Sequence, residues 1–139
     1  MALRRVSPED AKALIDQEGY VYVDVRSVPE FETGHPDGAF NVPIAHLGAA
    51  GMTPNPDFLS VMEKSFAKDA KLVVGCKSGG RSLQAASILQ SAGFTNLVDQ
   101  RAGFDGSPGG EPGWGPKGLP TNRTAAPERG YEALRTKAR

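Results

Sequence analysis

The stretch that decides the fold is Val73-Val74-Gly75-Cys76-Lys77-Ser78-Gly79-Gly80-Arg81-Ser82. Before it, Lys71 to Gly75 (KLVVG) reads as a short buried strand. After the two glycines, Leu83, Ala86, Ile88, Leu89 and Ala92 line a helix that stops at Gly93. Strand, glycine turn and helix in direct succession make a βα unit, and in sheets built of such units ligands bind beyond the carboxyl ends of the strands. Cys76 sits at such an end. Glycines let consecutive backbone N–H groups point into one concave nest, and the following helix adds the positive end of its dipole. Lys77 and Arg81 add two cations, so the segment favours a thiolate at Cys76. An isolated cysteine is more often a small buried hydrophobe. Here the strand end, the glycines and the cations together argue for an activated nucleophile.

Working outward, Ser7 before Pro8, Glu9 and Asp10 is a helix start: a hydroxyl cap, proline at the first helical position and acids in the first turn. Ala11, Leu14 and Ile15 give that helix an apolar face, Gly19 ends it, and Tyr20 to Val25 (YVYVDV) reads as a buried strand. Asn55-Pro56-Asp57 resembles a second cap, followed by Phe58, Val61, Met62 and Phe66 at helical spacing. Asn96 to Val98 is a third strand candidate. Strands alternating with helices predict an α/β, three-layer fold with a central parallel sheet flanked by helices on both faces. Asp105 to Pro120 holds 6 Gly and 4 Pro in 16 residues and reads as a loop, with Trp114 and Leu119 as apolar anchors. The expected organisation is one domain over residues 1–124, including the loop at 105–120. A C-terminal tail at 125–139 is read as a short helix carrying Tyr131 and Leu134, with Arg135, Lys137 and Arg139 near its end.

Composition bounds the function. The 139 residues carry 16 Lys+Arg against 16 Asp+Glu, so no broad charge favours nucleic acid or an anionic membrane, and neither is expected as a partner. One cysteine cannot close an intramolecular disulfide, form a Cys-x-x-Cys pair or build a multi-cysteine zinc site. Any thiol chemistry runs through Cys76. The start MALRRVSPED has no apolar stretch behind its arginines, which makes a cytoplasmic location the expectation. His35 reads as a turn residue within Gly34 to Gly38 rather than a metal ligand, and no metal or organic cofactor is called for.

Three chemistries are open to the nest. Gly75-x-x-x-x-Gly80-Arg81-Ser82 differs from the phosphate-binding P-loop only by Arg for Lys, but no strand ending in a magnesium-binding acid follows. A cysteine phosphatase would also set a thiolate in a loop closed by arginine, yet four residues separate Cys76 from Arg81 and that cradle suits a sulfur atom better than a phosphoryl group. In the third, Cys76 attacks a sulfane sulfur and holds a persulfide, a step that needs no general base. This suits a site in which His35 and His46 are far off in sequence.

The chain also resembles the rhodanese-like family of single-domain sulfurtransferases over most of residues 7 to 106. Val23-Asp24-Val25-Arg26 with Pro29-Glu30-Phe31 and Gly34-His35-Pro36-Asp37-Gly38-Ala39-Phe40-Asn41-Val42-Pro43 is similar to the family's first signature. Cys76-Lys77-Ser78-Gly79-Gly80-Arg81 resembles its six-residue active-site loop, and Ala102-Gly103-Phe104 its glycine-rich segment. The resemblance implies a parallel α/β fold and a cycle in which Cys76 alternates between thiolate and persulfide. It implies a small anionic sulfur donor such as thiosulfate and a thiophilic acceptor, cyanide or a thiol, a protein thiol included. By position the backbone of Lys77, Ser78, Gly79, Gly80 and Arg81 would cradle the outer sulfur, and the Lys77 and Arg81 side chains would bind the anionic donor. A persulfide carrier with little turnover is the alternative within this class.

Asp24, Arg26 and Glu30 have two readings, orienting substrate or forming a buried network that holds the loop, and the second is preferred. The Gly/Pro-rich segment is longer than in the simplest family members. Trp114 is expected to pack over the mouth of the site and limit acceptor size.

Overall fold

A computed structural model of the chain describes residues 3–124 and 126–137; Arg139 of the basic tail lies outside the described residues. A short strand β1 (Arg4–Val6) leads into helix α1 (Pro8–Glu18), where the Ser7 hydroxyl accepts the Asp10 amide at 3.1 Å and Gly19 closes the end in the left-handed region. Strand β2 (Val21–Asp24) is followed by α2 (Val28–Thr33), which starts in a capping box between Ser27 and Glu30. The segment around His35 is more than a turn. Strand β3 (His35–Pro36) pairs later with Thr121–Asn122, and the His35 ring is buried, stacked on Phe31 at 3.7 Å with Nδ1 2.8 Å from the Phe31 carbonyl.

Strand β4 (Phe40–Asn41) precedes a hairpin of β5 (Ala45–Gly48) and β6 (Gly51–Pro54). Helix α3 (Phe58–Ser65) follows, its entry fixed by the Asn55 side chain, which accepts the Asp57 amide at 3.0 Å. Then come β7 (Lys71–Gly75), α4 (Gly80–Ser91) and β8 (Asn96–Gln100), two residues longer than the sequence reading. Strand β9 (Thr121–Asn122), a 3₁₀ turn (Pro127–Arg129) and α5 (Tyr131–Lys137) complete the described chain.

The main sheet runs β1-β8-β7-β2-β4 and every pairing in it is parallel. Its residues alternate between two cores, as the twofold period of a strand requires. Val23, Leu72, Val74 and Leu97 join Phe58, Met62 and Leu89 of α3 and α4 on one face. Tyr22, Val73 and Val98 join Ala11 and Leu14 of α1 on the other. The chain leaves β2 outward to edge strand β4 and leaves β7 in the opposite direction, through α4 to β8. The carboxyl ends of β2 and β7 therefore flank the switch point at which parallel sheets open a crevice.

The Gly/Pro-rich segment is pinned in place. Trp114 is 1 % exposed in the α1-side core, edge-on to Tyr22 at 5.3 Å, with Nε1 donating to the Pro120 carbonyl at 2.7 Å. This corrects the expectation of a tryptophan over the mouth: the indole is a core side chain, and apolar burial outcompetes exposure for so large a ring. The C-terminal helix also joins the core, with Tyr131 and Leu134 buried beside α3 and the Tyr131 hydroxyl accepting from Asn55 at 3.0 Å.

Candidate active site

Cys76 follows directly on β7 and is 2 % exposed. Its Sγ accepts a hydrogen bond from the Gly79 amide at 3.1 Å, so the loop turns back on the sulfur before α4 begins. The two glycines have different jobs. Gly79 has φ 102°, and a Cβ there would lie 2.3 Å from the Arg101 carbonyl oxygen, so only glycine fits. Gly80 has nothing within 4 Å of a Cβ position.

The other wall of the loop comes from the segment after β8. Phe104 donates its amide to the Cys76 carbonyl at 2.7 Å, and Asp105 donates to the Lys77 carbonyl at 2.9 Å. Gly103, with φ 70°, lies so close that a Cβ would be 2.5 Å from the Lys77 carbonyl carbon and oxygen. The Cys76 peptide is thus held by the Ala102-Gly103-Phe104 turn.

Glu30 of α2 reaches across to Arg81 at the start of α4, with Nη1 and Nη2 donating at 2.7 and 2.9 Å. Burial pushes the Glu30 carboxyl up, but bonds from Arg81 and Ser27 outweigh it and hold the carboxyl at about 2. The same pair raises Arg81 above its ordinary value. The Arg81 charge is therefore already met by a carboxylate across the crevice, a placement different from a guanidinium left open to a donor anion. Lys77 is the exposed cation at the rim, its Nζ 4.0 Å from Asp105, and Ser78 is exposed beside it.

Asp24 and Arg26 form a buried ion pair at the end of β2, with Nη2 2.7 Å from Oδ2. Arg26 Nη2 also donates to the Gly34 carbonyl at 2.5 Å, and its guanidinium lies 4.5 Å from the centre of the Phe104 ring. Burial lowers the Arg26 value, but Asp24 more than restores it, so the net shift is upward. The pair ties β2 and α2 to the turn that holds Cys76. Neither imidazole reaches the thiol among the described contacts: His35 is stacked on Phe31 and His46 lies against Tyr131.

Two residues were missed by sequence reasoning. Gln100, fully buried, bonds the turn at Ala102 and Gly103, and the Tyr22 hydroxyl lies against Gly75. Tyr22 reads as one more apolar strand residue in YVYVDV, and a polar Gln ending a buried strand was the available signal. Beside the loop, a groove of about 240 Å³ is lined by Ile44, Ala45, Phe58, Leu59, Arg81 and Ile88.

This arrangement holds the buried Cys76 sulfur in a glycine turn whose Gly79 amide donates to it, with Lys77 exposed at the rim. Residues 7–106 match the family model described as Rhodanese-like domain. The chain is 45% identical over 103 residues to Thiosulfate sulfurtransferase 16, chloroplastic, of Arabidopsis thaliana, covering 74% of this chain and 80% of that one. It is 43% identical over 88 residues to Senescence-associated protein DIN1 of Raphanus sativus, covering 63% of this chain and 48%, about half, of that protein. Among solved structures it is similar to Rv0390 from M. tuberculosis, with a TM-score of 0.74 at 28% identity, covering 89% of this chain and 100% of that one.

Proposed function

The chain belongs to the rhodanese-like domain family, and we propose that it moves a sulfane sulfur from thiosulfate or a similar anionic donor to a thiophilic acceptor through a persulfide on Cys76. The Cys76 thiolate attacks the outer sulfur of the donor, the sulfur–sulfur bond of thiosulfate breaks, and its electron pair leaves on sulfite. Cyanide or a thiolate then attacks the outer sulfur of the persulfide, departs as thiocyanate or a new persulfide, and restores the Cys76 thiolate. Electrons balance without an external oxidant, and no proton has to be moved by a side chain. The observation that carries this reading is the Gly79 amide donating to Cys76 Sγ at 3.1 Å within the glycine turn. A donor of that kind favours a sulfur anion both before loading and, with the neighbouring amides, on the outer sulfur afterwards. Lys77 draws the anionic donor to the rim.

Intact mass of the wild type and Cys76→Ser after thiosulfate, before and after cyanide, tests the reading. The expected result is gain of one sulfur only in the wild type, lost to cyanide as thiocyanate. A folded wild type that gains no sulfur overturns it, and stable loading with slow cyanide release makes the protein a persulfide carrier instead. Arg81→Ala belongs in the same series, because loss of donor binding raises KM whereas loss of the Glu30 tie lowers kcat.

A further inference from the structure

Beneath the cysteine loop lies a pair of buried polar side chains contributed by two different strands. Gln100, at the end of β8, uses every polar atom: Oε1 accepts the amides of Ala102 at 2.8 Å and Gly103 at 2.9 Å, and Nε2 donates to the Gly103 carbonyl at 2.8 Å and the Tyr22 hydroxyl at 3.3 Å. Those bonds fix the 101–103 turn, and that turn is the surface on which the loop is moulded. The Arg101 carbonyl abuts Gly79, whose amide meets the sulfur, and Gly103 abuts the Lys77–Ser78 peptide. On the other side the Tyr22 hydroxyl occupies the space where a Gly75 side chain would be, 1.9 Å from a Cβ there, directly before the nucleophile.

We propose that Gln100 and Tyr22 are positioning residues for Cys76, a hydrogen-bonded pair that sets where the sulfur lies relative to the Gly79 amide. The proposal rests on Cys76 as the nucleophile but not on the identity of its donor. A side chain serving only to fill space at Gln100 would be apolar, because an amide buried at 0 % exposure has to satisfy every donor and acceptor it brings. Here those donors and acceptors are spent on the turn that touches the loop twice. Burial pushes the Tyr22 hydroxyl well above the usual tyrosine range, so it stays neutral at neutral pH. The charged groups facing this cluster are Asp24, Arg26 and Arg81, with Lys77 next to Cys76 in sequence.

The test compares wild type, Gln100→Leu and Tyr22→Phe. The rate of Cys76 alkylation by iodoacetamide is followed from pH 5 to 9, alongside circular dichroism and sulfur loading from thiosulfate. In Gln100→Leu the alkylation profile should move to higher pH, with the rate at neutral pH down on the order of tenfold and kcat falling more than KM changes. Tyr22→Phe keeps the bonds between Gln100 and the turn, and should shift the profile the same way on the order of threefold. A folded Gln100→Leu whose profile superimposes on wild type overturns the proposal, leaving Gln100 a stability residue. If Gln100→Leu does not fold, Tyr22→Phe decides: a displaced profile supports the pair and a superimposed one overturns it. Displaced profiles in a protein that never takes up sulfur would uphold the positioning role and sink the sulfur-transfer reading alone.

Discussion

Each of the two glycine-rich stretches of this chain mixes glycines in open space with glycines whose missing Cβ is filled by neighbouring backbone. At the cysteine loop, the Arg101 carbonyl takes the place of a side chain at Gly79 while Gly80 is open, and the Lys77 peptide does the same at Gly103 of the facing turn. In the 105–120 segment, Gly110 and Gly118 have positive φ and nothing within 4 Å and turn the chain, whereas a Cβ at Gly113 would lie 2.5 Å from the Gly106 nitrogen and the Phe104 carbonyl oxygen. That segment is held by its large side chains, by Trp114 in the core and by Arg101 bonded to Glu111 at 2.9 Å. Glycine content alone does not separate a packed cradle from a folded-back connection. What separates one glycine from another is whether its missing Cβ is somebody else's space, as at Gly79 and not at Gly110.

Three substitutions sharpen this contrast. The largest effect on stability should come from Trp114→Ala, about 3–5 kcal/mol by chemical denaturation, since it empties a fully buried aromatic site. Folded protein should keep its selectivity between small and protein acceptors, and a change in acceptor size confined to kinetics would return Trp114 to the mouth. Next, Gly79→Ala combines a left-handed backbone with a clash, at a cost of about 3 kcal/mol and about a hundredfold in sulfur loading. Gly110→Ala, equally left-handed but in open space, should cost only about 1 kcal/mol and leave loading intact. Equal effects at the two glycines would break the distinction.

The smallest effect concerns Glu30. Its carboxyl is depressed from 4.5 to about 2 in the fold, so the Arg81 tie is at full strength above about pH 4.5 and is lost as the pH falls from there towards 2. Acid unfolding of the wild type should steepen across that window, whereas Glu30→Gln, which lacks the titrating group, should not. At neutral pH that variant should lose no more than about fivefold in loading, as a partly buried ion pair warrants. Coincident acid curves would show that the tie contributes nothing.

Much of the fold was legible because its signals are local. The Ser7-Pro8 start, the Gly19 stop, the YVYVDV strand and the strand–cysteine–glycine–helix succession each declare themselves within a few residues. Edge strands β1 and β4, three and two residues long, are too short to show alternation and form because a sheet edge is there to accept them. Cys76 and its glycine loop were equally local. What surrounds them was not: Glu30 and Arg81 are 51 residues apart, and Gln100 and Tyr22 are 78 apart. A charge or an amide in a sequence does not announce its partner across the sheet. Trp114 misled for the same reason, since proximity to a glycine-rich loop in sequence carries no information about which layer the ring enters.

The sheet order has a last consequence, for how the molecule comes into being. Arg4–Val6 pairs with Val98–Gln100, so the first strand waits for nearly a hundred residues before it can be zipped into place. Closing so long a loop is slow, and contacts of this range govern the folding rate of small α/β domains. On a ribosome, Cys76 emerges well before Gln100, Gly103 and Phe104. Until the last strand of the sheet docks, the turn that holds the Cys76 loop is not there to shape it.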